Sequence, residues 1–580
     1  MKNIILILIL FLTTSIVFSQ NKKKDTIDTE VINVVRSYTP TVSDAFKIKS
    51  SPEINDSEIS KRKQIEYSIF SIPVASTFTP AKGKAKILRV DRSGPIYDNY
   101  ISAGFGNFST PQAEIFVHGS STRFNEFGGF FNYYSSIGGI EGTVLEDNFL
   151  DTHLDLFYKQ DEADFNWQLN AGARYQKYNW YGLPEQFNFN QNTIASIDES
   201  QDYTEVYLGG KIAYDESFFQ GATVELNRFT DNEGSSEIHL LVTPKIEFPI
   251  ATELINASAR LEYLKGEFFM NFDGSSSIDY SFLNLGFNPN FEVLRDNLTL
   301  NLGVDMLYSI GSGSDSESKA YFYPKVTASY ILIDQVLTTY AGVIGGLHQN
   351  SYRDFVNENP FVSPTLNIAR TDQQYNAYVG VKGKLASNVG YNLKGSYISE
   401  KDKPLFKLNP TKTDGMVILE KGYEAGNSFQ VVYDDITIIN ALAEVSVDFS
   451  KELKFGGTVQ LNVFDTTNEA EAWGLPTLKA TAFANYNVKK WFAGADLFFV
   501  GQRKDELDFN IPGILINRSP ELIDVGNYID LNLNAGYKFT DKLTAFAKVN
   551  NVLSSNYQKY TNFEVQGLQF FAGLMYKFDL

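Results

Sequence analysis

Apolar and polar residues alternate with a period of two over long stretches of this chain. The pattern is clearest in residues 165–175, 298–308 and 529–539, where apolar side chains at every second position are mostly separated by polar residues or glycine. Such alternation gives a strand one face in apolar surroundings and one face in water. The stretches run to about 10–14 residues, whereas soluble strands usually have ~5–6 residues and tilted membrane strands ~9–11. The length favours a membrane β-barrel over a soluble all-β array.

The spacing of the connections predicts the topology. Very short polar connections lie at 215–217, 295–297, 333–335, 386–388, 451–452, 489–490 and 541–542. Longer loops alternate with them, at 179–202, 229–235, 265–275, 309–317, 348–374, 401–427, 466–476, 503–526 and 554–566. Short turns at one end and long loops at the other are typical of outer-membrane barrels. We predict an all-β fold, a large transmembrane antiparallel β-barrel of about 22 strands over residues 97–580, closed because lipid tolerates no open sheet edge.

The N-terminal residues have a different composition. Residues 1–20 combine Lys2, an apolar run and a small-residue cleavage region, which predicts a secretory signal peptide. Residues 21–92 hold 14 Lys/Arg and 9 Asp/Glu, which is a net charge of +5. The whole chain has a net charge of −19 and Lys2 contributes +1, so residues 93–580 have a net charge of −25. We therefore predict a short basic segment over 21–96, lying in the periplasm or docked in an acidic lumen.

The C-terminal strands carry a family resemblance. The stretch Phe546 to Leu553, followed by Asn556-Tyr557 and by Gly567 to Phe578, resembles the last two strands of TonB-dependent outer-membrane receptors. The resemblance implies a Gram-negative cell outer membrane, with its lipid and lipopolysaccharide, as the location. Receptors of this class hold a folded plug inside the barrel, and the segment before the first strand is short for one. The resemblance is thus to a receptor with a shortened or absent plug.

The same resemblance points to a coupling segment. Residues 28–35 look like a TonB box, an extended stretch that pairs by strand addition with a TonB-type periplasmic protein. Its candidate contact residues are Glu30, Val31, Ile32, Val34 and Val35. An ordinary β-prone stretch in a periplasmic tail is the alternative reading.

Composition excludes several kinds of chemistry. The chain has no cysteine and only four widely separated histidines, without metalloprotease spacing. No serine-hydrolase elbow occurs, and the acidic balance disfavours nucleic acid as a partner. We expect no enzyme activity, no catalytic residues, no cofactor and no metal site.

Two loops contain an aromatic-Gly-Leu-Pro sequence, beginning at Tyr181 and at Trp473. With Trp180 beside the first, these rings are candidate contacts for a sugar or a protein, although Gly and Pro also explain them as turns. Three functions stay open. The first is energised transport of an unidentified solute, the second a passive porin-like channel, and the third a non-transport barrel subunit in an assembly of outer-membrane proteins.

Overall fold

A computed structural model describes residues 97–215, 217–250, 253–313, 316–511 and 519–579. The predicted signal peptide 1–20 and the basic segment 21–96, with the TonB-box-like residues Glu30, Val31, Ile32, Val34 and Val35, lie outside the described residues. Within the described ranges, no helix is long and apolar enough to cross a membrane.

Twenty-two antiparallel strands form one closed sheet, each paired with its neighbours along the chain. The first and last strands close it, with Asn99 opposite Phe578 and Gly106 opposite Phe571. The barrel strands are β1 (Asn99–Gly106), β2 (Thr110–Gly119), β3 (Asn125–Ser136), β4 (Phe149–Asp161), β5 (Phe165–Asn179), β6 (Ser200–Tyr214), β7 (Phe219–Asp231), β8 (Ser236–Ile250), β9 (Glu253–Phe268), β10 (Ile278–Arg295), β11 (Leu298–Ser312), β12 (Lys319–Ile333), β13 (Leu337–Gln349), β14 (Arg370–Ala386), β15 (Val389–Leu408), β16 (Phe429–Asp448), β17 (Leu453–Thr466), β18 (Leu478–Asn487), β19 (Trp491–Val500), β22 (Tyr528–Lys538), β23 (Leu543–Asn550) and β26 (Gln569–Phe578).

The other described elements all lie in loops between barrel strands. They are the helices α1 (Gln191–Ile194) and α2 (Tyr352–Glu358) and the hairpins β20 (Arg503–Leu507) with β21 (Glu521–Val525) and β24 (Gln558–Tyr560) with β25 (Phe563–Glu564). The predicted barrel of 22 strands is confirmed.

The two ends of the barrel differ in the length of their connections. At one end, called here the turn end, every connection has five residues or fewer. At the other, called the loop end, most connections are longer, and one of them, residues 137–148 between β3 and β4, was not predicted. The predicted loop 229–235 is shorter than expected, because β7 and β8 are joined by residues 232–235 alone, and β1 and β2 are joined by residues 107–109. The predicted alternation of turns and loops is confirmed for the remaining connections.

The strands put apolar side chains on the outer wall and polar ones inside. On β6, Val206 and Leu208 point outwards and are about half exposed, at 52% and 54%. The alternate residue Tyr207 points inwards and donates a hydrogen bond to Asp155 of β4. Because side chains alternate along a strand, this register gives an apolar surface to lipid and a polar surface to the lumen.

Glycines on the inner wall lie beneath aromatic rings of neighbouring strands. Gly172 is paired with Tyr207, and a Cβ placed at residue 172 would lie 2.5 Å from Cε1 of that ring. Gly342 stands in the same relation to Tyr378, with 2.6 Å to Cζ. A ring that covers a strand glycine holds the register while leaving no room for a side chain beneath it.

Candidate functional site

One long loop leaves the wall between β13 and β14 and turns into the barrel mouth. This inward loop, residues 350–369, is closed at its base because the side-chain amide of Asn350 donates to the carbonyl of Ala369 at 2.8 Å. It contains α2, which starts here because Ser351 caps it by accepting a hydrogen bond from the backbone N–H of Asp354 at 3.1 Å. An acidic residue in the first turn also favours a helix start.

A buried carboxylate on the wall anchors the start of α2. Glu237, at the loop end of β8, is 2% exposed and accepts hydrogen bonds from the backbone N–H groups of Tyr352 (2.8 Å) and Arg353 (3.2 Å). The hydroxyl of Tyr280 on β10 also donates to Glu237, at 2.7 Å. The Tyr352 hydroxyl in turn donates to Asp231 of β7, at 2.8 Å. These bonds hold the loop against three strands on one side of the mouth.

Aromatic contacts hold the inward loop on the opposite side. The ring of Phe361 stacks on that of Phe563, in the loop between β23 and β26, with centroids 3.8 Å apart. Phe355 of α2 packs edge-on against Phe406 of β15, at 5.9 Å. Strands β7, β8, β10 and β15 and the loop between β23 and β26 lie around much of the circumference. The inward loop is held against all of them, so it crosses the mouth of the barrel.

The side chains that pack around this crossing form one apolar cluster, which we call the mouth cluster. Its buried members are Tyr203, Phe229, Leu264, Phe268, Tyr280, Phe282, Tyr352, Phe355, Val356, Val362, Leu366, Ile368, Leu408, Phe429, Val431, Leu507 and Phe563. Burial of so many large side chains gives the loop end a hydrophobic core of its own.

A second buried carboxylate joins three parts of the loop end. Asp505 on β20 accepts hydrogen bonds from the backbone N–H of Leu408 (3.0 Å), the hydroxyl of Thr561 (2.6 Å) and the backbone N–H of Glu506 (2.8 Å). Burial raises the pKa of Asp505 to about 6, although these bonds and the charge of Lys407 oppose the shift. The carboxylate therefore takes up a proton more readily in the packed loops than in an unfolded chain.

This shift predicts that mild acid tightens the loop end. Because the pKa of Asp505 is raised in the folded protein, protonation of this carboxylate stabilises the packed loops. This stabilisation is complete below the ordinary pKa of 3.8 and is lost as the pH rises through 6. The free energy of opening the β20–β21 hairpin should fall by about 3 kcal/mol between those limits. Hydrogen exchange of residues 503–508, corrected for intrinsic rates, should be slower at pH 5 than at pH 7.5, and Asp505→Asn should remove the difference. Equal pH dependence in both proteins would contradict the assignment.

The predicted ligand contacts divide into two groups. Trp180 and Trp473 are each 1% exposed. Trp180 packs edge-on against Tyr423 at 5.4 Å, and the Trp473 indole N–H donates to Glu469 at 2.6 Å. In this conformation neither indole offers a face to a ligand, so a binding role for them stays a prediction that needs a rearrangement. Tyr181, by contrast, lines a cavity.

That cavity, called here the mouth cavity, lies inside the loop end beside the inward loop and has a volume of about 570 Å³. Small-molecule sites in proteins have volumes of ~300–1,000 Å³. It is lined by Ile140, Asp147, Asn148, Phe149, Arg174, Gln176, Tyr178, Asn179, Tyr181, Val356, Asn357, Glu358, Pro360, Phe361, Lys559, Tyr560, Phe563, Glu564, Val565, Gln566 and Gln569. Apart from Tyr181, none of these residues was identified from the sequence, because they come from four separate parts of the chain.

Metal-binding groups are not gathered at the loop end. In the parts of the chain that the structure describes, no three His, Asp or Glu side chains are placed to hold a metal ion together.

The closed barrel, its apolar outer wall and its unequal ends define the class of outer-membrane β-barrels. Comparison with solved structures makes the likeness more specific. The chain is similar to the pyoverdine outer membrane receptor FpvA from Pseudomonas aeruginosa PAO1 bound to pyoverdine, at 15% identity over 84% of this chain and 80% of that one, with a TM-score of 0.60.

Two further structures are similar to a comparable extent. The ferric enterobactin receptor PfeA from Pseudomonas aeruginosa matches at 12% identity over 83% of this chain and 80% of that one, with a TM-score of 0.58. The copper transporter OprC matches at 11% identity with the same coverage and TM-score. These are TonB-dependent receptors, so the likeness to that class is confirmed for the fold. No protein-family model and no curated protein matches the sequence.

Proposed function

We propose that this chain is an outer-membrane receptor that takes up a solute, with its loop end facing outwards and the solute bound first in the mouth cavity. The observation that carries the proposal is the inward loop, which crosses the mouth and leaves the cavity beside it. The shared fold with siderophore receptors and a copper transporter supports transport as the function, and these neighbours are not enzymes.

A passive porin fits the structure less well. Wide barrels of 16–18 strands leave an open aqueous channel, whereas 22-stranded transporters carry an obstruction in the lumen. Here the barrel's own residues obstruct the mouth, through bonds to buried carboxylates and a packed apolar cluster. A transporter that admits solute on demand requires such a closed resting state.

The third function, a barrel subunit in an assembly, is favoured by one observation. Met416 and Ile418, in the loop between β15 and β16, are 60% and 66% exposed. Large apolar side chains at a loop tip suit contact with another outer-membrane protein. A stoichiometric partner that stays with the chain through mild detergent extraction would favour this second candidate, and isolation as a lone chain would count against it.

Energy coupling at the N-terminal segment gives a direct test of the receptor proposal. Proline lacks a backbone N–H, so a chain carrying both Val31→Pro and Val34→Pro should lose strand pairing with a TonB-type partner. We expect at least a tenfold loss of affinity for the purified periplasmic domain of TonB, with the barrel still inserted and folded. Ser50→Pro, which adds a proline outside the predicted coupling stretch, is the matched control. Undiminished binding by the double variant would refute coupling through this stretch.

A further inference from the structure

The mouth cavity presents several aromatic rings along one wall. Phe149 and Tyr178 lie with their ring centroids 6.4 Å apart, and Tyr178 meets Phe361 edge-on at 6.3 Å. The rings of Tyr181 and Tyr560 also meet Phe361 edge-on, at 5.7 Å and 6.0 Å. All five side chains are only partly buried, so ring surface remains for a ligand that has an apolar face.

Polar groups of a particular kind stand around these rings. The amides of Asn148, Asn357, Gln566 and Gln569 line the cavity. Those of Gln566 and Gln569 already donate to protein groups, and an amide oxygen can accept more than one hydrogen bond. Asn179 also lines it, and its side-chain oxygen has no hydrogen-bond partner although the residue is only 3% exposed. A buried acceptor without a partner is costly, so a shift of Asn179 towards the cavity that lets a ligand hydroxyl donate to it would be favourable.

The charges of the lining do not favour an anion. Two basic residues, Arg174 and Lys559, face three acidic ones, Asp147, Glu358 and Glu564. Arg174 is moreover engaged, because its Nε and Nη2 donate to Asp151 on β4, at 3.0 Å and 2.5 Å. An anionic iron chelate would need an excess of positive charge, and the described residues bring no three His, Asp or Glu side chains together around a metal ion.

From these three features we infer that the solute of the mouth cavity is an uncharged, metal-free oligosaccharide. This inference rests on the proposed uptake function. A sugar ring has an apolar C–H face that fits an aromatic wall, and hydroxyls that both donate to and accept from amides. The cavity thus differs in chemistry from a site for a ferric siderophore, although the barrel shares its fold with receptors for such compounds.

The test uses the full-length protein in detergent on an array of neutral oligosaccharides. The wild-type protein should bind members of the array, and Tyr181→Ala should weaken that binding at least tenfold because the ring surface is lost. Tyr181→Phe keeps the ring and loses only the hydroxyl, which donates to the carbonyl of Glu564 at 2.8 Å. It should retain binding within about threefold, because the lost hydrogen bond joins Tyr181 to the protein's own backbone and not to the solute. Tyr321→Ala, on the inner wall outside the cavity, is the matched control. Resistance of the folded barrel to unfolding in detergent gels confirms that each variant is intact.

Three outcomes would overturn the inference. One is that the wild-type protein binds no neutral oligosaccharide on the array, and a second is that Tyr181→Ala binds as well as the wild-type protein. The third comes from an anionic probe. Ferric citrate serves as the anionic probe in parallel. Binding of ferric citrate that Tyr181→Ala abolishes would refute the sugar class and leave the uptake site in place. Failure of the proposed uptake function is detected by a different experiment, in which the Val31→Pro, Val34→Pro variant would bind TonB as well as the wild-type protein does.

Discussion

In a chain that lacks residues 21–92, replacement of the inward loop, residues 350–369, by a two-residue Asn-Gly turn is expected to raise single-channel conductance several-fold in a planar bilayer. The replacement is geometrically direct, because Gln349 and Arg370 are already paired across β13 and β14. Asn-Gly forms the tight turn that joins two such strands. Removal of the loop takes away α2 and its share of the mouth cluster, so the mouth should lose the element that crosses it.

The matched control removes another loop at the same end of the barrel, one that does not cross the mouth. Residues 467–476, between β17 and β18, hold Trp473, which packs in a separate apolar cluster with Leu405, Ile436 and Ile438. Their replacement by the same turn should leave conductance unchanged. A barrel that stays closed without the inward loop would contradict its role as the obstruction, provided that residues 21–92 have also been removed.

Replacing the inward loop and removing residues 21–92, singly and together, shows which of the two segments obstructs the lumen. If the basic segment 21–92 docks in the lumen as the charge distribution predicts, neither deletion alone gives full conductance and the double deletion does. If the inward loop is the sole obstruction, its replacement alone is enough. Removal of 21–92 alone should leave the mouth crossed, because every contact of the inward loop described above is made within residues 97–579.

The architecture was predictable because barrel strands follow local rules. Alternation in residues such as 529–539 requires only that neighbours point to opposite faces, and the described β22 spans Tyr528–Lys538 within one residue of that stretch. Turns such as 541–542 are likewise local. The loop 137–148 was missed because apolar residues, Ile137, Ile140, Val144 and Leu145, interrupt its polar and glycine residues.

The mouth was not predictable because its contacts join distant parts of the chain. Glu237 binds Tyr352 across 115 residues, and Phe361 stacks on a ring more than 200 residues away. The sequence did hold one signal, the spacing of Tyr352, Phe355 and Val356, which places three apolar residues on one face of a short helix. Within a stretch assigned as a surface loop, that spacing gave no indication of which surface would cover it.

Removal of the Glu237 carboxylate is expected to detach the start of α2 without removing any part of the loop. In Glu237→Ala, the N–H groups of Tyr352 and Arg353 and the hydroxyl of Tyr280 all lose their acceptor. Each unpaired buried donor costs ~1–3 kcal/mol, so the free energy of opening the inward loop should fall by several kcal/mol. The amides of residues 352–358 should then exchange with deuterium at least tenfold faster, and the channel should show brief openings.

Two control variants, Glu237→Gln and Glu444→Ala, make this prediction specific to the carboxylate of Glu237. Glutamine keeps one carbonyl acceptor, so its effect on exchange should lie between those of wild type and Glu237→Ala. Glu444 also accepts a side-chain hydrogen bond on the inner wall, from Asn392 at 2.7 Å, but it lies on β16 and outside the set of residues that touch α2. Glu444→Ala should leave exchange in α2 unchanged. If Glu237→Ala leaves those amides as protected as in the wild-type protein, the packing of the mouth cluster alone holds the loop, and the carboxylate is not its anchor.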